Sequence, residues 1–329
     1  MGRTLLVAAL VVVGGCGEAT TETPSSPSAN AAPAPSDDRE GDAPTKAGKG
    51  LSQTFKEAVG GAPAVNSVNL IPEGATLVVG AEFRAVVNSV LWRAIEPNLG
   101  SRAQGQLAAA TQCGLSQDKW DRIVIGADPS ANDMAIVVEA EGLGTRTTLD
   151  CLVKEIGSFT LSADGKRLSD HTGGGFVLSD DVIAFASTRW MDKLEARIGG
   201  KGTAAVDGAL KGPLARLGPN KKLWLAAMVP SEVAVMGKSF LGAQATDVSA
   251  YADLTKGVAL HLSAEVDDAK AAQDKVQEQL EGSKSMLQIF GVPSAVVDSL
   301  KLTVDGTLLR AEVHATEDEV RAIMKQGAP

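Results

Sequence analysis

The chain is poor both in the residues that most enzymes use for chemistry and in those that most cores use for bulk. Its 329 residues include only three histidines, three cysteines, one tyrosine and four tryptophans, and aromatics make up 4% against a hydrophobic content of 44%. A core with so few rings has to be packed from Val, Leu, Ile and Ala. No HExxH or CxxC occurs and no two histidines stand at metal-ligand spacing, so the expectation is neither metal nor cofactor. There is no GxSxG nucleophile elbow, and the glycine runs at Gly60-Gly61 and Gly173-Gly174-Gly175 lack the strand-GxGxxG-helix setting of a nucleotide site. Basic residues are outnumbered 31 to 40, for a formal charge of −9, with no Lys/Arg cluster. Nucleic-acid binding needs a basic footprint and is disfavoured.

What the chain does carry is concentrated at its start. Met1-Gly2-Arg3 bears a positive charge, residues 5–13 are an unbroken apolar run, and Val13-Gly14-Gly15-Cys16 follows. That is the three-part layout of a secretory signal, too short for the roughly 20 residues of a membrane-spanning helix. The Cys after small residues resembles the lipobox of bacterial lipoproteins. The resemblance implies cleavage after residue 15, diacylglycerol on the Cys16 thiol and acylation of the new amino group. The other reading is an ordinary signal peptide cut near Gly15, with Cys16 incidental. Residues 17–50 contain no aromatic and hold Pro24, Pro27, Pro33, Pro35 and Pro44 among Ser, Thr, Ala and acidic residues. Such a segment cannot bury enough apolar surface to offset its ordering entropy, so 16–62 is expected to be a disordered tether. Two or three acyl chains make a durable anchor where one is marginal. Gly17 rather than Asp after the Cys resembles lipoproteins sent on to the outer membrane. The expected address is the cell envelope, lipid-anchored, in the outer membrane of a cell that has one.

Beyond the tether, Cys113 and Cys151 remain, 38 positions apart. Export to an oxidising compartment favours a disulfide, for which loop entropy predicts about 4 kcal/mol of stabilisation. The alternative is two buried free thiols.

The rest of the pattern is α+β. Strands are expected at 76–80, 121–127, 134–140, 182–185, 223–229 and 257–266, with hairpins turning at Asp164-Gly165 and Asp305-Gly306. Helical spacing runs through Phe83, Val86, Val87, Val90, Leu91 and Ile95, then 104–111, a segment capped by Thr147 or Thr148, 190–198, 230–241 from an N-cap at Ser231, and a long helix from Asp267-Asp268 towards Ile289. Thr316 and Glu319 are spaced as a capping box for a last helix. A short amphipathic stretch at Leu51, Phe55 and Val59, a loop at Gly173-Gly174-Gly175 and a Gly/Ala/Lys-rich connection at 199–212 complete the reading. Helices packed on a mostly antiparallel sheet are expected, in two halves, 63–200 and 213–329. The halves share a strand-helix-strand-helix-hairpin-helix outline, and residues 159–165 match 300–306 as an alternating strand feeding an Asp-Gly turn.

Candidate chemistry is thin. His261 and His314 fall on the more polar faces of their strands and His171 lies beside the triple glycine, all satisfied or solvent-facing. Ser116 and Lys119 match S-x-x-K in letters only. Glu139 and Glu141 read as a solvated strand end, and Asp128, Asn132 and Asp133 as turn residues without a calcium loop. Trp92, Trp120, Trp190 and Trp224 sit in apolar stretches and read as core. No catalytic residue is assigned.

Ile71-Pro72-Glu73-Gly74-Ala75, Cys113-Gly114-Leu115 and Asp150-Cys151-Leu152 resemble features of a loose group of uncharacterised exported bacterial proteins. That resemblance implies the Cys113–Cys151 pairing and adds no activity. The expected function is a membrane-anchored envelope lipoprotein presenting a non-catalytic binding or structural domain, not an enzyme. Its partners would be the membrane, through the lipid, and an envelope protein. The alternatives are a carrier of an apolar ligand, marked by an internal apolar pocket, and an envelope hydrolase, marked by His171, Asp170 and a Ser converging in a cleft.

Overall fold

Residues 66–96, 99–289 and 292–326 are described in the structure, a computed structural model. The leader, Cys16, the tether and the stretch around Leu51, Phe55 and Val59 lie outside them. The described strands are β1 (Leu77–Glu82), β2 (Trp120–Asp128), β3 (Asp133–Ala140), β4 (Thr160–Leu161), β5 (Arg167–Ser169), β6 (Gly173–Val177), β7 (Val182–Ser187), β8 (Leu223–Met228), β9 (Ala245–Asp253), β10 (Val258–Val266), β11 (Lys301–Asp305) and β12 (Leu308–Ala315). They form one sheet in the order β11-β12-β10-β9-β8-β1-β2-β3-β7-β6-β5-β4. Every pairing is antiparallel.

The apolar runs of β1, β2, β3 and β7 are buried on both sides, because helices cover both faces there. Alternation sends Ala81, Ile123, Ile136, Val138 and Ile183 to one face and Val78, Val124, Ala135, Val137 and Ala184 to the other, all of them buried. On the first face lie residues of α1 (Phe83–Val87), α2 (Val90–Ile95), α3 (Ser101–Gln112) and α4 (Arg146–Ile156). On the second lie the 3₁₀ turn Ser67–Leu70, α5 (Met191–Ile198) and α6 (Lys211–Leu217), which contribute Leu70, Leu194 and Leu214. A third, smaller core uses small side chains, with Ala264, Val266 and Leu309 of the sheet against Ala269 and Ala272 of α8 (Ala269–Ile289). The remaining helices are α7 (Ser231–Leu241), α9 (Ser294–Asp298) and α10 (Glu317–Gln326).

The N-terminal and C-terminal strands of the chain meet in the sheet at β1 against β8, with Val79 opposite Leu225. From that seam outward the order is β1-β2-β3-β7-β6 on one side and β8-β9-β10-β12-β11 on the other. The topological counterpart of β11–β12 is therefore β6–β7. The β4–β5 hairpin at Asp164-Gly165, which resembles the Asp305-Gly306 hairpin in sequence, is an addition at the edge. Arg216 of α6 crosses to β9 and β10, pairing with Asp247 and, at 3.5 Å, with Glu265.

Local signals explain the element ends. The capping box forms as spaced: Thr316 N–H donates to Glu319 Oε2 at 2.7 Å and Glu319 N–H to Thr316 Oγ1 at 3.4 Å. Asp268 Oδ1 accepts from Ala271 N–H at 2.9 Å to open α8. Elsewhere the expected boundaries move. The helical spacing at 83–95 breaks at Asn88-Ser89, because the Ser89 hydroxyl accepts from Trp92 N–H at 3.2 Å and starts a second helix. The cap of α4 is Thr145; Thr147 and Thr148 lie inside the helix. Ser231 is the first residue of α7, after Pro230. The triple glycine is not a loop but the start of β6. A Cβ on Gly173 would meet Ala186 O at 2.0 Å, and one on Gly175 the Phe185 ring at 2.6 Å, so glycine lets the strands approach.

Candidate functional site

The feature with the most chemical content is a cavity of about 160 Å³ between the first face of the sheet and α1–α4. Its floor is Ile123, Ile136, Val138, Ile183 and Phe185. Its roof has a simple origin in the sequence of α3. Ala103, Leu107 and Ala110 recur at helical spacing and face inward, and two of the three are alanines too short to fill the gap to the sheet. Leu149, Leu152, Val153 and Ile156 of α4 complete the roof, and Phe83, Trp92 and Trp120 form one wall. Phe83 packs against both indoles, at 5.8 and 5.4 Å between ring centres. A dry cavity of about 150 Å³ lined by aliphatic and aromatic groups holds benzene. This one is of that size and lining.

The disulfide lies in the roof. Cys113 caps the C-terminus of α3 and Cys151 is in α4, bonded with 5.5 Å between their Cα atoms. On either side of each cysteine in sequence stand lining residues, Ala110 and Leu115 for one, Leu149 and Leu152 for the other. The bond thus fixes the spacing of the two roof helices.

Side chains in the lining that carry a polar atom are few: Gln106, Trp92 and Trp120. Trp120 Nε1 donates to Leu115 O at 3.2 Å. Trp92 is 2% exposed, and its Nε1 has no hydrogen-bond partner. Ser158 Oγ and Arg216 Nε share that condition among the described residues.

The residues singled out in the sequence do not gather here. Asp170 accepts from Thr172 N–H, Thr172 Oγ1 and Gly173 N–H at 2.7–2.8 Å, so its carboxylate holds a turn beside His171. Far along the sheet, His261 stacks on Tyr251 at 4.4 Å, and His314 pairs with Glu312 at 2.6 Å, which holds that carboxyl below its ordinary value. Asp128 accepts from Ser130 N–H and Oγ at 3.1 and 2.6 Å, and Asn132 takes a positive φ of 55°, as turn residues do. Trp92 and Trp190 are buried, as core residues. Glu139 is a correction. It is not solvated at a strand end, because the 3₁₀ turn Ser67–Leu70 packs over β3 and the fully buried Ser67 hydroxyl donates to its carboxylate. Burial pushes that carboxyl above its ordinary value, against the pull of Arg122 and with a push from Asp121. The cavity itself had only one trace in the sequence, the alanine spacing of α3. Among the described residues no group of three or more His, Cys, Asp or Glu is placed to hold a metal ion, and no helix is long and apolar enough to cross a membrane.

The molecule is thus an α+β protein, with helices on both faces of a long antiparallel sheet and an apolar cavity under one helical layer. The same fold occurs in TP0453. Crystal form I of that protein superposes with a TM-score of 0.51 at 10% identity, covering 80% of this chain and 99% of TP0453. Form III gives 0.52 at 11% identity over the same shares. Form IV gives 0.50 at 10% identity, over 79% of this chain and 97% of TP0453. No protein-family profile matches the chain, and no curated protein matches it in sequence.

Proposed function

We propose that this is an exported, lipid-tethered bacterial protein whose folded part binds an apolar ligand in the cavity beneath α3 and α4. The observation that carries the reading is the cavity, a benzene-sized space lined almost wholly by aliphatic and aromatic side chains. The address rests on the leader, Cys16 and the proline-rich tether. The Cys113–Cys151 bond supports it, since such bonds persist in oxidising compartments. The fold shared with TP0453 supports the architecture. A tether that lets the domain range from a membrane suits a carrier, which has to collect and deliver ligands of low water solubility.

The test has two arms. Protein purified from its own cells in mild detergent is extracted with organic solvent and the extract analysed by mass spectrometry. A small apolar or acyl compound should appear with the natural protein and be depleted from an Ala110→Phe variant, in which a ring occupies the cavity. Equal recovery from both would contradict the cavity reading. For the anchor, Cys16→Ser should abolish labelling with radioactive palmitate, and retained label would refute it.

A further inference from the structure

Helix α7 carries its apolar side chains on the wrong side for a domain in water. A helix on a protein surface turns its large apolar residues inward and its polar ones out. In α7 the side chain buried against the domain is that of Ala234, 4% exposed, with Gly237 and Leu241 half-buried beside it. The larger residues Val233, Val235, Met236 and Phe240 are 49%, 64%, 61% and 66% exposed. The other exposed large hydrophobics among the described residues are Leu260, Met286 and Val304, one each on β10, α8 and β11. Four on a helix of 11 residues make a patch, not the single scattered residues usual on a protein surface. Val233, Met236 and Phe240, at i, i+3 and i+7, form one stripe along the helix, and Lys238 stands on the side opposite it.

Resting on the lipid anchor of the reading above, we infer that α7 is a second membrane contact, whose Val233–Met236–Phe240 stripe lies among the acyl chains at a bilayer surface. Eleven residues of helix extend about 16 Å, roughly half the hydrocarbon thickness, so α7 lies along the surface and does not cross it. Residues 17–65 separate Cys16 from the first described residue, 49 residues that reach up to about 160 Å when extended. A nine-residue strand of the sheet spans only about 30 Å. The bilayer that holds Cys16 is therefore within reach of α7, and tethering keeps it close enough for a weak contact to be occupied. A protein partner suits the stripe less well. Protein interfaces concentrate their binding in Trp, Tyr and Arg, and α7 has none of these. Glu232 and Lys238 offset each other on the helix and the chain as a whole is at −9, so the matching surface is zwitterionic lipid and not anionic lipid.

The experiment exploits the cysteines. Cys113 and Cys151 are bonded to each other and Cys16 carries the lipid, so a cysteine introduced on α7 is the free thiol. Protein matured in a bacterial host is labelled with an environment-sensitive dye at Phe240→Cys or at Lys238→Cys, then reconstituted into phosphatidylcholine vesicles. Lipids brominated on their acyl chains should quench the label at 240 at least about threefold more than the label at 238, since only the stripe enters the acyl region. Equal quenching at both positions, with the protein still floating with the vesicles, overturns the inference and leaves the anchor standing. Protein that does not float with the vesicles overturns the anchor reading and this inference with it. A Val233→Cys label repeats the first arm without altering Phe240; quenching at 240 but not at 233 contradicts a stripe lying along the surface. Emission of the 240 label that shifts to the blue with protein concentration alone, and not with vesicles, assigns the face to a second copy and likewise overturns the inference.

Discussion

Glu139 shows at the level of one side chain how the fold overrides its local sequence. In an alternating strand that leads into Glu-Gly, a glutamate reads as solvated. It is the packing of residues 67–70, far away in the chain, that half-buries it. Because its pKa in the folded protein is raised, the stability linked to this group is full below the ordinary glutamate range. That contribution is lost as the pH rises through the folded value. Glu139→Gln removes the loss. The variant should melt with the natural protein near pH 4 and above it at pH 7, by about 2–4 °C for each kcal/mol recovered. A thermal unfolding series against pH checks this; a variant less stable than the natural protein at pH 7 would mean that the Ser67 hydrogen bond outweighs burial. By contrast, Asp128, Asp268 and the Thr316–Glu319 pair were legible in sequence, since their partners lie within three residues.

Among elements, legibility follows the same division. Hairpins at Asp164-Gly165 and Asp305-Gly306 form where the turn chemistry puts them. Strand β9 escaped notice because Ala-Thr-Asp-Val-Ser-Ala-Tyr-Ala-Asp is built from small and polar residues, and its place is set by ladders to β8 and β10. Helix α6 was hidden by Gly212 and Pro213, yet proline is tolerated in a first turn, where the N–H it lacks has no partner within the helix. Pairing of Cys113 with Cys151 was open to inference from export, but its position in the cavity roof was not. Replacing both cysteines with serine should cost about 4 kcal/mol in urea unfolding. It should also weaken isopropylbenzene binding, because α3 and α4 are no longer held at a fixed spacing. Unchanged stability would show that packing alone sets the roof.

Over the whole molecule, the α+β class and the antiparallel sheet were readable from periodicity. The pairing of β1 with β8 within one sheet was not, since no local pattern specifies which strands meet. The cavity belongs to this scale too. It arises where a helix of small residues spans a sheet whose large side chains come from four strands, and only the assembled layers reveal the missing volume. In the function proposed above, a lipid tether and the apolar cavity together would form a single device for moving a poorly soluble compound at a membrane. Calorimetric titration of isopropylbenzene into the disulfide-bonded protein and into its Ala110→Phe variant tests that central claim most directly. The account predicts saturable one-to-one binding to the natural protein and none to the filled variant, with both folded. Binding of equal strength to both, or to neither, would contradict it.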